Sequence, residues 1–134
     1  MKRQIKFRGK DEFGNWCYGS LVVYHDDGME IQGYDIYQDG DEEWKSRAVD
    51  PETVGQFTGF CGSEGNEIYE GDRLFIAKSG KAFTSDVVWD EISGRFALDF
   101  GTILGISDMN LGGWLINYDC QLVSSSHSKK GGKK

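Results

Sequence analysis

Residues 49–72 read VDPETVGQFTGFCGSEGNEIYEGD, and their punctuation decides the fold class. Asp50-Pro51-Glu52-Thr53 is a helix start: aspartate suits the N-cap, and proline suits the first helical position, where the N–H it lacks has no partner anyway. No apolar stripe follows, so the start carries one helical turn. Val54 to Phe60 then reads as a strand, with Val54, Gln56, Thr58 and Phe60 on one face and Phe57 on the other. Gly62-Ser63-Glu64-Gly65-Asn66 makes a tight connection, because glycine and asparagine tolerate positive φ. Glu67-Ile68-Tyr69 is a short strand, and Glu70-Gly71-Asp72 reverses the chain into Arg73 to Ala77. The carboxylates beside Gly71 read as local acceptors for backbone N–H groups. Acid–base work or a hard cation would need a third group at a matching spacing, and none follows.

The same pattern of short alternating runs and turn residues extends in both directions. Upstream, Ile5 and Phe7 alternate with Lys6 and Arg8, and Gly9 to Gly14 reads as a turn. Asn15 to Tyr24 is a second strand with Trp16, Tyr18, Leu21 and Val23 to bury and a bulge at Gly19-Ser20. His25-Asp26-Asp27-Gly28 turns the chain into a strand from Met29 to Ile36, and Gln38 to Glu43 is an acidic loop before Trp44. Downstream, Phe83 to Trp89 and Arg95 to Phe100 flank Asp90-Glu91-Ile92-Ser93-Gly94 as a hairpin with a bulged connection. Trp114 to Val123 is one more strand-like run. Helix is therefore a minor component, and the chain divides into an N-terminal β meander (1–50), a β region (51–123) and a flexible polar and basic tail (124–134).

Composition bounds the function classes. A chain of 134 residues with 18 aromatics, 19 glycines and one proline fits one compact domain or two very small ones. The formal charge is −7, but four lysines lie in the last six residues. Met1 to Ser126 thus carries 11 basic and 22 acidic groups, net −11, a body that repels phosphates unless its cations cluster. Three cysteines cannot all pair, and none stands in a C-x-x-C arrangement, which fits a reducing cytoplasm. Lys2, Arg3 and Lys6 are followed by no apolar region of a secretory signal, and no apolar run of about 18 residues is present to span a bilayer.

Several segments are specific enough to resemble a family. Ile5-Lys6-Phe7-Arg8-Gly9-Lys10, Trp16-Cys17-Tyr18-Gly19-Ser20-Leu21, the run Val49 to Gly59 and Asn66 to Asp72 resemble the YopX family, small proteins encoded mainly by bacteriophages and prophages. Val87-Val88-Trp89-Asp90 with Gly94-Arg95-Phe96 is similar to the family's next hairpin. The match departs at Phe60-Cys61-Gly62-Ser63-Glu64 and at Cys120 to Ser124. The resemblance implies a mainly β protein whose C-terminal half is SH3-like and barrel-type. It implies no reaction, no cofactor and no assigned site residue.

Each candidate site has a plain structural counterpart. His25-Asp26-Asp27 has metal-ligating side chains but the composition of a hairpin turn. Cys61 or Cys120 with His25 would make a nucleophile and base, yet no local signature orients them. The glycines punctuate turns, and no lysine-serine pair leads from a glycine loop into a helix as a phosphate-binding loop requires. Trp16, Trp44, Trp89 and Trp114 are core aromatics or a recognition platform. Lys2, Arg3, Lys6, Arg8 and Lys10 form the body's basic concentration; on one strand face, Lys6, Arg8 and Lys10 would be a solvated strip or a contact for phosphate or an acidic partner. With Trp16 and Trp44 they mark the expected binding surface.

The reading that follows is a cytoplasmic, phage- or prophage-encoded accessory protein without catalysis, which binds a host or phage protein. Exposed strand edges would also admit self-association. One alternative is an acidic decoy that presents Asp26, Asp27, Asp35, Asp39, Asp41, Glu42 and Glu43 as a nucleic acid mimic. Another is nucleic acid binding by the N-terminal cations and aromatics.

Overall fold

The computed structural model describes residues 4–38, 45–101 and 105–125. The chain divides into two units, Met1–Phe57 and Thr58–Lys134. In both, short strands separated by glycine-bearing turns pair as antiparallel neighbours, as period-2 patterning without a sustained helical stripe requires.

The N-terminal unit is organised by β1 (Phe7–Lys10), which pairs with β2 (Trp16–His25) on one side and with the start of β5 (Gly55–Cys61) on the other. Beyond β2 lie β3 (Ile31–Gln38) and β4 (Lys45–Val49), in the order β4-β3-β2-β1-β5. The sheet curls strongly, because the residue after β4 returns to β1: the Asp50 N–H donates to the Lys10 carbonyl at 2.8 Å. Glycine is required at position 9 for this approach, since a Cβ there would lie 2.9 Å from Val49 Cβ. The curl buries Cys17, Ile36 and Val49, with Phe7, Leu21, Tyr34 and Val54 packed around them. The turn after β1 is held by Asp11, whose buried carboxylate accepts from the Phe13 and Asn15 N–H groups and meets Arg47 at 3.4 Å.

The helix start at Asp50 is one 3₁₀ turn, Pro51–Thr53, and the Asp50 carboxylate accepts the Glu52 N–H at 3.0 Å. Thr53 serves the fold twice. Its hydroxyl accepts the Lys10 N–H and donates to the Asp50 carbonyl, tying the turn to β1. In β5 the expected alternation fails: Phe57 and Thr58 are both buried while Phe60 is 40% exposed. Gly59, at φ 90°, shifts the strand's facing at that point.

In the C-terminal unit the second half of β5 pairs with β6 (Glu67–Tyr69). A four-stranded antiparallel sheet follows, built from β7 (Asp72–Lys78), β8 (Lys81–Asp90), β9 (Arg95–Asp99) and β10 (Asp119–Ser125) in the order β10-β7-β8-β9. Its described strands form an open sheet, where the family resemblance implied a barrel-type half. The core is Ile68, Leu74, Ile76, Val87, Leu98, Leu111 and Cys120. Glu70-Gly71-Asp72 makes the expected reversal: Gly71 has φ 96°, its N–H donates to the Val87 carbonyl, and the buried Asp72 carboxylate accepts the Tyr69 N–H at 2.8 Å.

The run from Trp114 is corrected. Residues Leu111–Asn117 form a helix, α1, and only then does β10 begin. Asn110 caps α1 by accepting the Gly113 N–H. Leu111, Trp114, Leu115 and Tyr118 stand at i, i+3, i+4 and i+7, and all four pack on the core. Gly112 and Gly113 weaken the helical signal locally, and burial of this stripe overrides them. The final strand also runs further than expected, through Ser125, with a bulge between Leu122 and Ser124. Among the described residues no helix is long and apolar enough to cross a membrane.

Two predictions follow from this packing. Asp72→Ala leaves the buried Tyr69 N–H without its carboxylate and is expected to destabilise the protein by about 1–3 kcal/mol in urea titration; an unchanged midpoint would remove the role given to the turn. Cys61 is exposed and Cys17 and Cys120 are buried, so a thiol reagent at pH 8 should modify one cysteine in the native protein and all three in denaturant.

Candidate functional site

The outer face of the N-terminal sheet carries an open cleft of about 610 Å³, lined by Gln4, Lys6, Trp16, Tyr18, Gly19, Ser20, Tyr37 and Gln38. Its composition follows from strand register. Phe7 opposes Gly19, Arg8 opposes Tyr18 and Lys10 opposes Trp16, so Lys6, Arg8 and Lys10 share one face with Trp16, Tyr18 and Ser20. Ser20 in turn opposes Tyr37. The apolar partners at the intervening positions, Phe7, Cys17 and Leu21, turn the other way into the core.

Gly19 permits the floor of this cleft. Its φ is 154°, and a Cβ there would overlap the Tyr37 carbonyl oxygen. The bulge expected at Gly19-Ser20 falls where β2 passes from pairing with β1 at Gly19 to pairing with β3 at Ser20, and β2 and β3 approach closely there.

Lys6, just before β1, and Arg8 and Lys10 within it lie on one face, but they are not a uniformly solvated strip. Arg8 is only 5% exposed, and its guanidinium lies 4.1 Å from the Trp16 ring centroid. The Lys10 ammonium lies 5.1 Å from the same ring, and the Lys6 ammonium lies 5.1 Å from that of Phe57. For a desolvated pair of the Arg8–Trp16 type such an interaction is worth about 2 kcal/mol. The rings therefore orient the cations, and Arg8 belongs to the packing while Lys6 lines the cleft. Trp44, the other aromatic expected here, lies outside the described residues.

Beside the cleft, three polar side chains join on the same face. The Tyr24 and Tyr37 hydroxyls are 2.9 Å apart, and the Tyr24 hydroxyl donates to Asp35 Oδ2 at 3.2 Å. The hydrogen bond with Tyr37, with smaller contributions from desolvation and the Asp35 charge, pushes the Tyr24 phenol up to about 12. No feature of the sequence marked this trio, because tyrosines within hairpin strands read as ordinary strand residues.

The other candidate groups resolve structurally. The Asp26 carboxylate accepts from the Glu30 N–H and from Gln32, which makes the His25 to Gly28 segment a self-satisfied turn. Cys61 and Cys120 belong to the C-terminal unit and His25 to the N-terminal one. Burial, then the Asp119 charge, pushes the Cys120 thiol up to about 11, and the thiol faces the Trp114 carbonyl. A group so disposed is protonated at neutral pH and is a poor nucleophile. Trp114 packs on the C-terminal core, and Trp89 stacks edge-on against Phe96 while 44% exposed. Of the acidic stripe, Asp39, Asp41, Glu42 and Glu43 lie outside the described residues.

Comparison with known proteins places this architecture. A family model described as YopX protein matches residues 6–129, so the chain belongs to the YopX family. Among solved structures it is similar to the crystal structure of protein EF1440 from Enterococcus faecalis, at 16% identity and a TM-score of 0.56, with 97% of this chain and 98% of that one covered. At that identity the likeness concerns the fold. No curated protein matches the chain.

The tyrosine contact gives a pH prediction. The Tyr24 pKa is raised in the folded state, so the contact stabilises the fold below pH 10, and that contribution is lost as pH rises through about 12. Tyr37→Phe should bring the Tyr24 transition back toward 10 in an ultraviolet titration. An unchanged transition would show that the Tyr37 hydroxyl does not hold it.

Proposed function

We propose that this chain is a non-catalytic accessory protein of phage or prophage origin that binds a protein partner through the cleft of its N-terminal unit. The observation that carries the reading is the lining itself. Tyr18 and Tyr37 offer large, rigid surfaces with polar tips, while Ser20, Gln4 and Gln38 add adaptable donors and acceptors. That is the composition of surfaces that recognise protein segments, where tyrosine and tryptophan give contact area at low conformational cost.

The nucleic acid reading is weaker on the same geometry. A base-stacking platform needs an open ring face, and the Trp16 ring already carries Arg8 at 4.1 Å and Lys10 at 5.1 Å. The surrounding body, net −11 from Met1 to Ser126, adds repulsion toward a polyanion. The YopX membership supports the phage or prophage origin and the cytoplasm of the host cell as the place of action.

A photo-crosslinking amino acid at position 18, in the cleft, tests the reading against one at position 92, where Ile92 is 97% exposed in the C-terminal unit. In lysate of a host cell, position 18 should yield a discrete protein adduct that position 92 does not, that excess unlabelled protein competes away and that nuclease leaves intact. Identical adducts from both positions, or an adduct destroyed by nuclease, would overturn it.

A further inference from the structure

The tip of the β2–β3 hairpin is built in a way that its own sequence does not require. Tyr24 pairs with Gly33, but the next pair is His25 with Ile31, so Gln32 is an extra residue on β3, a bulge. Beyond it the Asp26 carbonyl accepts the Met29 N–H at 3.0 Å, and Met29 stands at φ 68°. That left-handed conformation strains a residue with a side chain. Gly28, the residue suited to it, stands immediately before and does not take a positive φ.

Asp26 holds this form. Its carboxylate accepts the Glu30 N–H at 2.8 Å and the Gln32 amide at 3.2 Å, and its own N–H donates to the Glu30 carbonyl at 2.9 Å. Continuing the Tyr24–Gly33 register without the bulge sets His25 opposite Gln32, Asp26 opposite Ile31 and Asp27 opposite Glu30. Gly28-Met29 is then a two-residue loop, and glycine first in such a loop makes a type II′ hairpin turn. Met29 leaves the left-handed region, and the Glu30 N–H exchanges the Asp26 side chain for a backbone partner. Residues 24–32 are exposed throughout, so the exchange disturbs no core.

We propose that this tip is a two-register element, in which Asp26 latches the bulged form and a type II′ turn at Gly28-Met29 closes the other. The choice decides which face Ile31 serves. Paired residues share a face, so the bulged form sets Ile31, which is 52% exposed, on the side of His25. The unbulged form moves it to the side of Tyr24. The Tyr24 bonds to Tyr37 and Asp35 lie behind the point of change and persist in both. The outer face of the sheet thus gains an apolar side chain in one register and loses it in the other, and a ligand that grips Ile31 on that face would draw the tip into the second. The exchange belongs to the free protein and does not rest on the protein-binding reading.

Cross-strand nuclear Overhauser contacts in the labelled protein read the register: positions 25 and 31 in the bulged form, positions 26 and 31 in the unbulged one. Asp26→Ala is expected to move the ratio toward the unbulged form by about tenfold or more, the worth of its lost hydrogen bonds, and to bring up the 26–31 contact. Gly28→Ala blocks a type II′ turn, whereas in the bulged form its Cβ meets only Asp26 Oδ1, at 3.5 Å. Adding Gly28→Ala, or Met29→Gly, to Asp26→Ala should therefore restore the 25–31 contact. An Asp26→Ala protein that keeps only the 25–31 contact, or loses both, would overturn the proposal. So would a 26–31 contact that survives Gly28→Ala.

Discussion

Everything in the N-terminal unit depends on the four residues of β1 being paired on both edges. A strand this short has few backbone groups, and each unpaired one would be costly in the curled interior. β2 satisfies one edge. The other is completed in pieces, by β5 at Phe7 and Arg8, by the Thr53 hydroxyl at the Lys10 N–H and by the Asp50 N–H at the Lys10 carbonyl. Those pieces force the sheet to curl, and the curl forces Gly9 against Val49. The alternation of β1 then has a fixed meaning: Phe7 and Gly9 face the core, and Lys6, Arg8 and Lys10 face outward.

What the outward face becomes is set by the aromatics that register brings to it. Three cations on adjacent same-face positions repel one another, and a solvated strip would leave their side chains free to separate. Here Trp16 and Phe57 give them fixed stations. Arg8 sinks into the packing, and Lys6 lines the cleft. A cleft with ordered charges and rigid rings loses little entropy on binding. That is the physical sense in which shape and fixed charge by themselves can be specific.

The sequence made the turns more legible than the elements between them. Asp50-Pro51, Gly62 to Asn66, Glu70-Gly71-Asp72 and Asp90 to Gly94 each lie where their chemistry places them, because a cap, a positive φ or a local carboxylate acts over a few residues. α1 was not legible: its stripe of Leu111, Trp114, Leu115 and Tyr118 spans two turns, and two glycines dilute it. The facing of β5 was lost at Gly59, where a single positive φ resets the alternation. Lys6, Arg8, Lys10 and Trp16 were visible as a cluster, yet the burial of Arg8 and the joining of Tyr24, Asp35 and Tyr37 come from pairings between strands that no local window contains.

The central claim is that the N-terminal unit does the binding. The most direct measurement is a nitrogen–proton correlation spectrum of the labelled protein as its crosslinked partner, or a peptide from it, is added. The account predicts shifts concentrated at Lys6, Tyr18, Ser20, Tyr37 and Gln38 and little change at Phe60, Phe96 and Leu111 in the C-terminal unit. Shifts centred on the latter set, with the cleft residues unmoved, would contradict it.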